Sequence, residues 1–132
     1  MRPNLSKASQ VPTTMHKIQN FAVTQKPWGK EILIEKTAAY ALKEIWMIKG
    51  TRCSLQSHVK KLETLYVLSG EIELETVDSK GQSSFENFKP NQAYTIPPGC
   101  KHRVKVIEDC RLIEVSTPEL DDVIRYQDDY NR

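Results

Sequence analysis

The stretch "CSLQSHVKKLETLYVLSGE", residues 53–71, decides how this chain is read. Its second half is apolar, β-prone and closed by Ser69-Gly70, as expected of a strand running into a turn. Strand side chains point alternately to opposite faces, so Gln56 and His58 share one face, and in the next segment Glu63, Leu65 and Val67 share one face. An inward face should begin with apolar side chains. Here it begins with an amide, an imidazole and a carboxylate, three groups able to ligate a metal ion.

Outward from this stretch the same texture continues. "EILIE", "KEIWMIK", "TLYVL", "EIELETV", "SFENF", "AYTIP", "RVKVIE" and "RLIEVS" are short segments of strand composition. "PWG", "KGT", "SGE", "DSKG", "KPNQ" and "PPG" separate them with turn chemistry, and Gly50, Gly70 and Gly99 are read as turn glycines. Many short strands without crossover helices predict an all-β sandwich or barrel, not a doubly wound sheet. Residues 1–20 are polar and aperiodic and read as a flexible N-terminal arm, leaving residues 21–132 as one domain. The end, "PELDDVIRYQDDYNR", is expected to form a short helix or a docked tail.

The composition, 39% hydrophobic and 27% charged over 132 residues, is that of a soluble globular domain. A formal charge of +2 gives no support to nucleic-acid binding. No apolar run approaches the roughly 18 residues of a membrane span, and no secretory signal is visible, so a cytoplasmic protein is expected. Cys53, Cys100 and Cys110 match no zinc-finger spacing and are read as free thiols.

A second element, "IPPGCKHRVKV", adds His102 at the start of a strand, on the face shared by Val104 and Val106. If these strands are neighbours in a small barrel, Gln56, His58, Glu63 and His102 converge inside it. Two imidazoles, a carboxylate and an amide oxygen suit a borderline or hard divalent ion such as zinc, iron, manganese, nickel or cobalt. Lys60 has the parity of Gln56 and His58 and is expected to reach the barrel mouth, with Lys61 facing away. Arg103 is expected opposite His102, and Trp28 and Trp46 in packing rather than sugar stacking.

The spacing Gly50, Gln56, His58, Glu63, Gly70 resembles the first cupin motif, with glutamine at its first histidine, and Pro97, Gly99 and His102 resemble the second. Cupins are jelly-roll barrels. "KPWGKE", "SLQSH", "IPPGCKHR" and "DDVIRYQDDYNR" narrow the likeness to the C-terminal cupin domain of type II phosphomannose isomerases, from about residue 26 to the end. That resemblance implies metal ligands Gln56, His58, Glu63 and His102, zinc as the ion, and a homodimer. It also implies aldose–ketose isomerisation of a sugar phosphate, a proton passing between C1 and C2 through an enediol. Arg103, Lys60 and Arg125 are the candidate catalytic or substrate-holding residues, with Arg125 suited to a phosphate. In such proteins the cupin domain follows a guanylyltransferase domain; this chain has none, so nucleotide transfer is not expected of it. The sequence departs from the pattern at Ser116-Thr117-Pro118, at Val104-Lys105-Val106 after the His-Arg pair, and at Asn131. Two rival readings stay open: a non-catalytic cupin binding a sugar, sugar phosphate or sugar nucleotide, and another cupin enzyme, either an iron dioxygenase or a metal-free sugar epimerase.

Overall fold

The computed structural model describes residues 10–132. The strands are β1 (Ala22–Lys26), β2 (Gly29–Lys36), β3 (Ala41–Met47), β4 (Leu55–Ser57), β5 (Glu63–Val77), β6 (Ser83–Phe88), β7 (Ala93–Ile96), β8 (Lys101–Ser116) and β9 (Ile124–Gln127). No helix occurs among the described residues, so the all-β expectation holds. All pairings are antiparallel in one curled sheet of order β1-β2-β3-β8-β4-β9, with β5 joining β8 to β6 and β7.

Two long strands organise it. "TLYVL" and "EIELETV" are one strand, β5, and "RVKVIE" and "RLIEVS" are one strand, β8, rather than four separated by turns. β5 buries Glu63, Leu65 and Val67, then Ile72 and Leu74, so its inward parity switches from odd to even residues. Register shifts between Val67 and Ile72 cause the switch, as bulges do. Gly70, at φ 82°, sits in this bend, where an added Cβ would lie 2.1 Å from the Asp109 carbonyl oxygen. Only glycine fits, for both reasons. β8 keeps its parity, burying His102, Val104, Val106, Cys110, Leu112, Glu114 and Ser116.

The core joins Trp28, Ile45, Met47, Leu65, Val67, Ile72, Leu74, Tyr94, Ile96, Val104, Val106, Cys110 and Leu112. Trp28 therefore packs inside. Trp46 lies on the outer face instead, between Lys30 and Arg111, its partners in register on β2 and β8, with both cations within 5 Å of its ring. The tail forms no helix: β9 pairs with β4, and the Arg52–Asp129 ion pair and a Ser57–Tyr126 hydrogen bond hold it there. Of the expected arm, residues 1–9 lie outside the described residues, and residues 10–20 are exposed and form no strand, with His16 paired to Glu35. No helix of the described residues is long and apolar enough to cross a membrane.

Candidate metal centre

β4, β5 and β8 bring the polar residues together. Gln56 pairs in register with His102, so both motifs meet across a strand boundary. The PPG turn is tied to the first motif as well, because the Gly99 N–H donates to the His58 carbonyl at 2.7 Å. His58, Glu63 and His102 are all buried, and their ligand atoms lie within 4.8 Å of one another. Glu63 Oε1 stands 3.5 Å from His58 Nε2 and 3.3 Å from His102 Nε2.

The tautomers of the two rings follow from their other nitrogens. His58 Nδ1 lies 2.6 Å from the Asp122 carbonyl oxygen, and His102 Nδ1 lies 2.9 Å from that of Cys100. A carbonyl only accepts, so each Nδ1 carries a proton, and in the neutral ring each Nε2 presents a lone pair. Two lone pairs and a carboxylate oxygen thus face one another in a buried space, and His58 Nε2 has no hydrogen-bond partner among the described residues. Such a constellation calls for a cation. When no ion is held there, a proton on Nε2 donated toward Glu63 answers the same demand for positive charge, and the shifts of these groups run in that sense. Burial disfavours a charged His58, but Glu63 and the Asp122 carbonyl outweigh it and raise its pKa. Burial likewise opposes charge on Glu63, yet His102, His58, Glu114 and Lys61 hold its carboxyl well below the usual carboxylate range. The donors fit a divalent ion held by His58, Glu63 and His102. Gln56 lines the same cavity and its Oε1 accepts from the Ser54 hydroxyl at 2.8 Å, which orients the amide.

Asp122 supports this cluster and was not singled out from sequence as a site residue. Besides its carbonyl on His58, its carboxylate accepts the N–H groups of Val59, Lys60 and Lys61 at 2.7–2.9 Å. That loop decides the fate of the two lysines. β4 ends at Ser57, so strand parity no longer applies beyond it. Lys60 is exposed, and Lys61 turns inward instead, the reverse of the expectation. Lys61 Nζ reaches Glu63 Oε2 at 3.0 Å and Glu114 Oε1 at 3.7 Å. Burial and the charge of Glu63 push the Glu114 carboxyl up to about 7, with Lys61 opposing them.

Arg103 is buried, yet it is not part of the cavity lining. Its guanidinium donates from Nη2 to the Gln127 carbonyl at 3.0 Å and so docks β9. Arg125 does line the cavity, and it has no ion-pair partner among the described residues; Asp129 is taken by Arg52 and Asp122 by the loop amides. Lys26 also lines the cavity without an ion-pair partner, whereas Arg132, on the same lining, is neutralised by Asp128. The cavity itself holds about 100 Å³. Cys100 does not line it.

Comparison with known proteins gives the family and the fold. Residues 13–128 match the family described as mannose-6-phosphate isomerase C-terminal. The chain belongs to this family. Its relatives include a putative mannose-1-phosphate guanylyltransferase of Vibrio cholerae, 30% identical over 108 residues, covering 78% of the chain and 22% of that protein. The xanthan biosynthesis protein XanB of Xanthomonas campestris is 31% identical over 112 residues, covering 81% of the chain and 23% of its own length. The chain thus spans under a quarter of these curated relatives. Among solved structures, oxalate decarboxylase of Bacillus subtilis superposes with a TM-score of 0.73 at 15% identity, over 90% of this chain and 34% of the other. The capsular polysaccharide assembling protein CapF of Staphylococcus aureus superposes with 0.69 at 15% identity, over 83% and 32%. At that identity the likeness concerns the fold alone, which is the cupin fold.

Proposed function

We propose that this chain is a metal-dependent aldose–ketose isomerase of a phosphorylated sugar, mannose-6-phosphate isomerase-like, in sugar-nucleotide or polysaccharide metabolism. The observation that carries the reading is the convergence of two fixed Nε2 lone pairs on the Glu63 carboxylate, in a chain of the mannose-6-phosphate isomerase C-terminal family. Zinc is the ion proposed, held by His58, Glu63, His102 and Gln56. When bound, a divalent ion there polarises the carbonyl and hydroxyl oxygens of the substrate.

The chain's own residues supply the rest. Arg125 and Lys26, the cavity-lining cations without ion-pair partners, suit the phosphate. The buried walls exclude water from the reacting carbons and hold the sugar end in place. The proton that leaves one carbon and returns to the next needs a base inside the cavity, and apart from the proposed metal ligands Lys61 and Glu114 are the titratable side chains beside Glu63. Arg103 serves this reading through the tail strand it docks, and Lys60 through the loop it belongs to. The unpaired Cys53, Cys100 and Cys110 suit a reducing cytoplasm. A homodimer is part of the same proposal.

A second reading, a non-catalytic cupin that binds a sugar, sugar phosphate or sugar nucleotide, is favoured by one observation. Lys61 and Glu114 lie within ion-pair distance, so the base is tied up unless substrate separates them. Turnover separates the two. Zinc-loaded protein is expected to interconvert mannose 6-phosphate and fructose 6-phosphate, to stop on chelation and to resume on adding metal. Metal and ligand binding without turnover would leave the binding module.

A further inference from the structure

The cavity has a second polar pole that the metal cluster does not use. Tyr94, on β7, is 9% exposed and lines the cavity beside Glu63, Glu114 and Gln56. Its ring packs on Phe88, with centroids 4.9 Å apart, and sits opposite Leu65 in the ladder. Its hydroxyl has no hydrogen-bond partner among the described residues, and neither has Glu114 Oε2 on a residue of the same lining. A buried hydroxyl left unpaired is costly, and phenylalanine would fill the same space without that cost. Burial, with Glu63 and Glu114 nearby, keeps the phenol well above its ordinary pKa, so it stays a neutral group able to donate.

We propose that Tyr94 is a ligand-contact residue whose hydroxyl bonds to a hydroxyl oxygen of a sugar phosphate, the phosphate end of which lies toward Arg125 and Lys26. The sugar-phosphate identity of the ligand rests on the function proposed above; the role of the tyrosine rests on a buried, unpaired hydroxyl carried by a side chain that lines the cavity. A site built to hydrogen-bond a ligand hydroxyl discriminates strongly for it, because an empty site leaves its own polar group unpaired. Tyr94 therefore selects the sugar portion, not the phosphate.

The test is calorimetric titration of fructose 6-phosphate, and separately of inorganic phosphate, into zinc-loaded wild-type and Tyr94→Phe proteins. The expected result is equal zinc content, sugar-phosphate affinity lower by about tenfold in the variant, and unchanged affinity for inorganic phosphate. Equal sugar-phosphate affinity in both proteins overturns the assignment and leaves the isomerase reading standing. Weaker binding by the variant with no turnover by either protein supports the assignment and overturns the isomerase reading. Failure of the wild type to bind fructose 6-phosphate overturns both. Should the variant not fold, wild-type protein labelled with 13Cζ-tyrosine decides: the Tyr94 resonance, identified by its contacts to Phe88, must shift with fructose 6-phosphate and not with phosphate, and an unmoved resonance overturns the proposal.

Discussion

Asp122 shows how a single residue sets the site without touching its cavity. One carboxylate collects three backbone N–H groups of the loop 59–61, and the adjacent carbonyl fixes the His58 ring. The hydrogen bonds from Lys60, Val59 and Lys61 hold its pKa at about 2, below the ordinary 3.8. A carboxyl whose folded pKa is depressed contributes stability above its unfolded pKa, and that contribution is lost as pH falls toward the folded value. Between about pH 4 and pH 2, wild-type protein should therefore lose melting temperature faster than Asp122→Asn, which cannot ionise. At neutral pH the variant should melt lower and bind zinc about tenfold more weakly, since its loop no longer orients His58. Thermal melts across that pH range, with zinc titration at neutral pH, check both. Parallel melting curves for the two proteins would remove Asp122 from this role.

At the scale of elements, the bend in β5 is what allows one strand to present Glu63 to the cavity and Ile72 and Leu74 to the core. Gly70→Ala meets both a positive φ and the backbone of Asp109 and Cys110, so it should destabilise the fold by more than about 2 kcal/mol, measured by urea unfolding. Much of this architecture was legible in the sequence. Alternation put His102, Val104 and Val106 on one face, and Glu63, Leu65 and Val67 on one face, and all six are buried. Alternation failed where strands ended or bent. Lys60 and Lys61 exchanged roles because β4 stops at Ser57, and "SGE" read as a turn because a glycine inside a bulge has the same local signature as a glycine between strands. β9 was hidden for another reason. Four exposed residues, Ile124–Gln127, have no buried face to give a period, and their place is fixed by distant partners such as Arg103 and Arg52. Asp122 and Tyr94 share that property, since their importance lies in contacts across long sequence separations.

For the whole molecule, the outer face of the sheet carries a row in register across five strands, Val23, Ile32, Glu44, Ile113 and Tyr66, with Val115 nearby. Val23 on the edge strand β1, Tyr66 on β5 and Val115 on β8 are 53%, 38% and 45% exposed, apolar side chains at either end of this face with Glu44 between them. The proposed homodimer would cover it, and light scattering should return twice the chain mass at micromolar concentration, falling to one chain for Val23→Glu combined with Val115→Glu. A single-chain mass for the wild type would end that part of the proposal. The central claim is the chemistry of the metal cavity, and one measurement tests it most directly: zinc-loaded protein with fructose 6-phosphate in D2O, followed by proton NMR. Formation of mannose 6-phosphate carrying deuterium at C2 is the predicted result. Unchanged fructose 6-phosphate, with zinc bound and the fold intact, would contradict it.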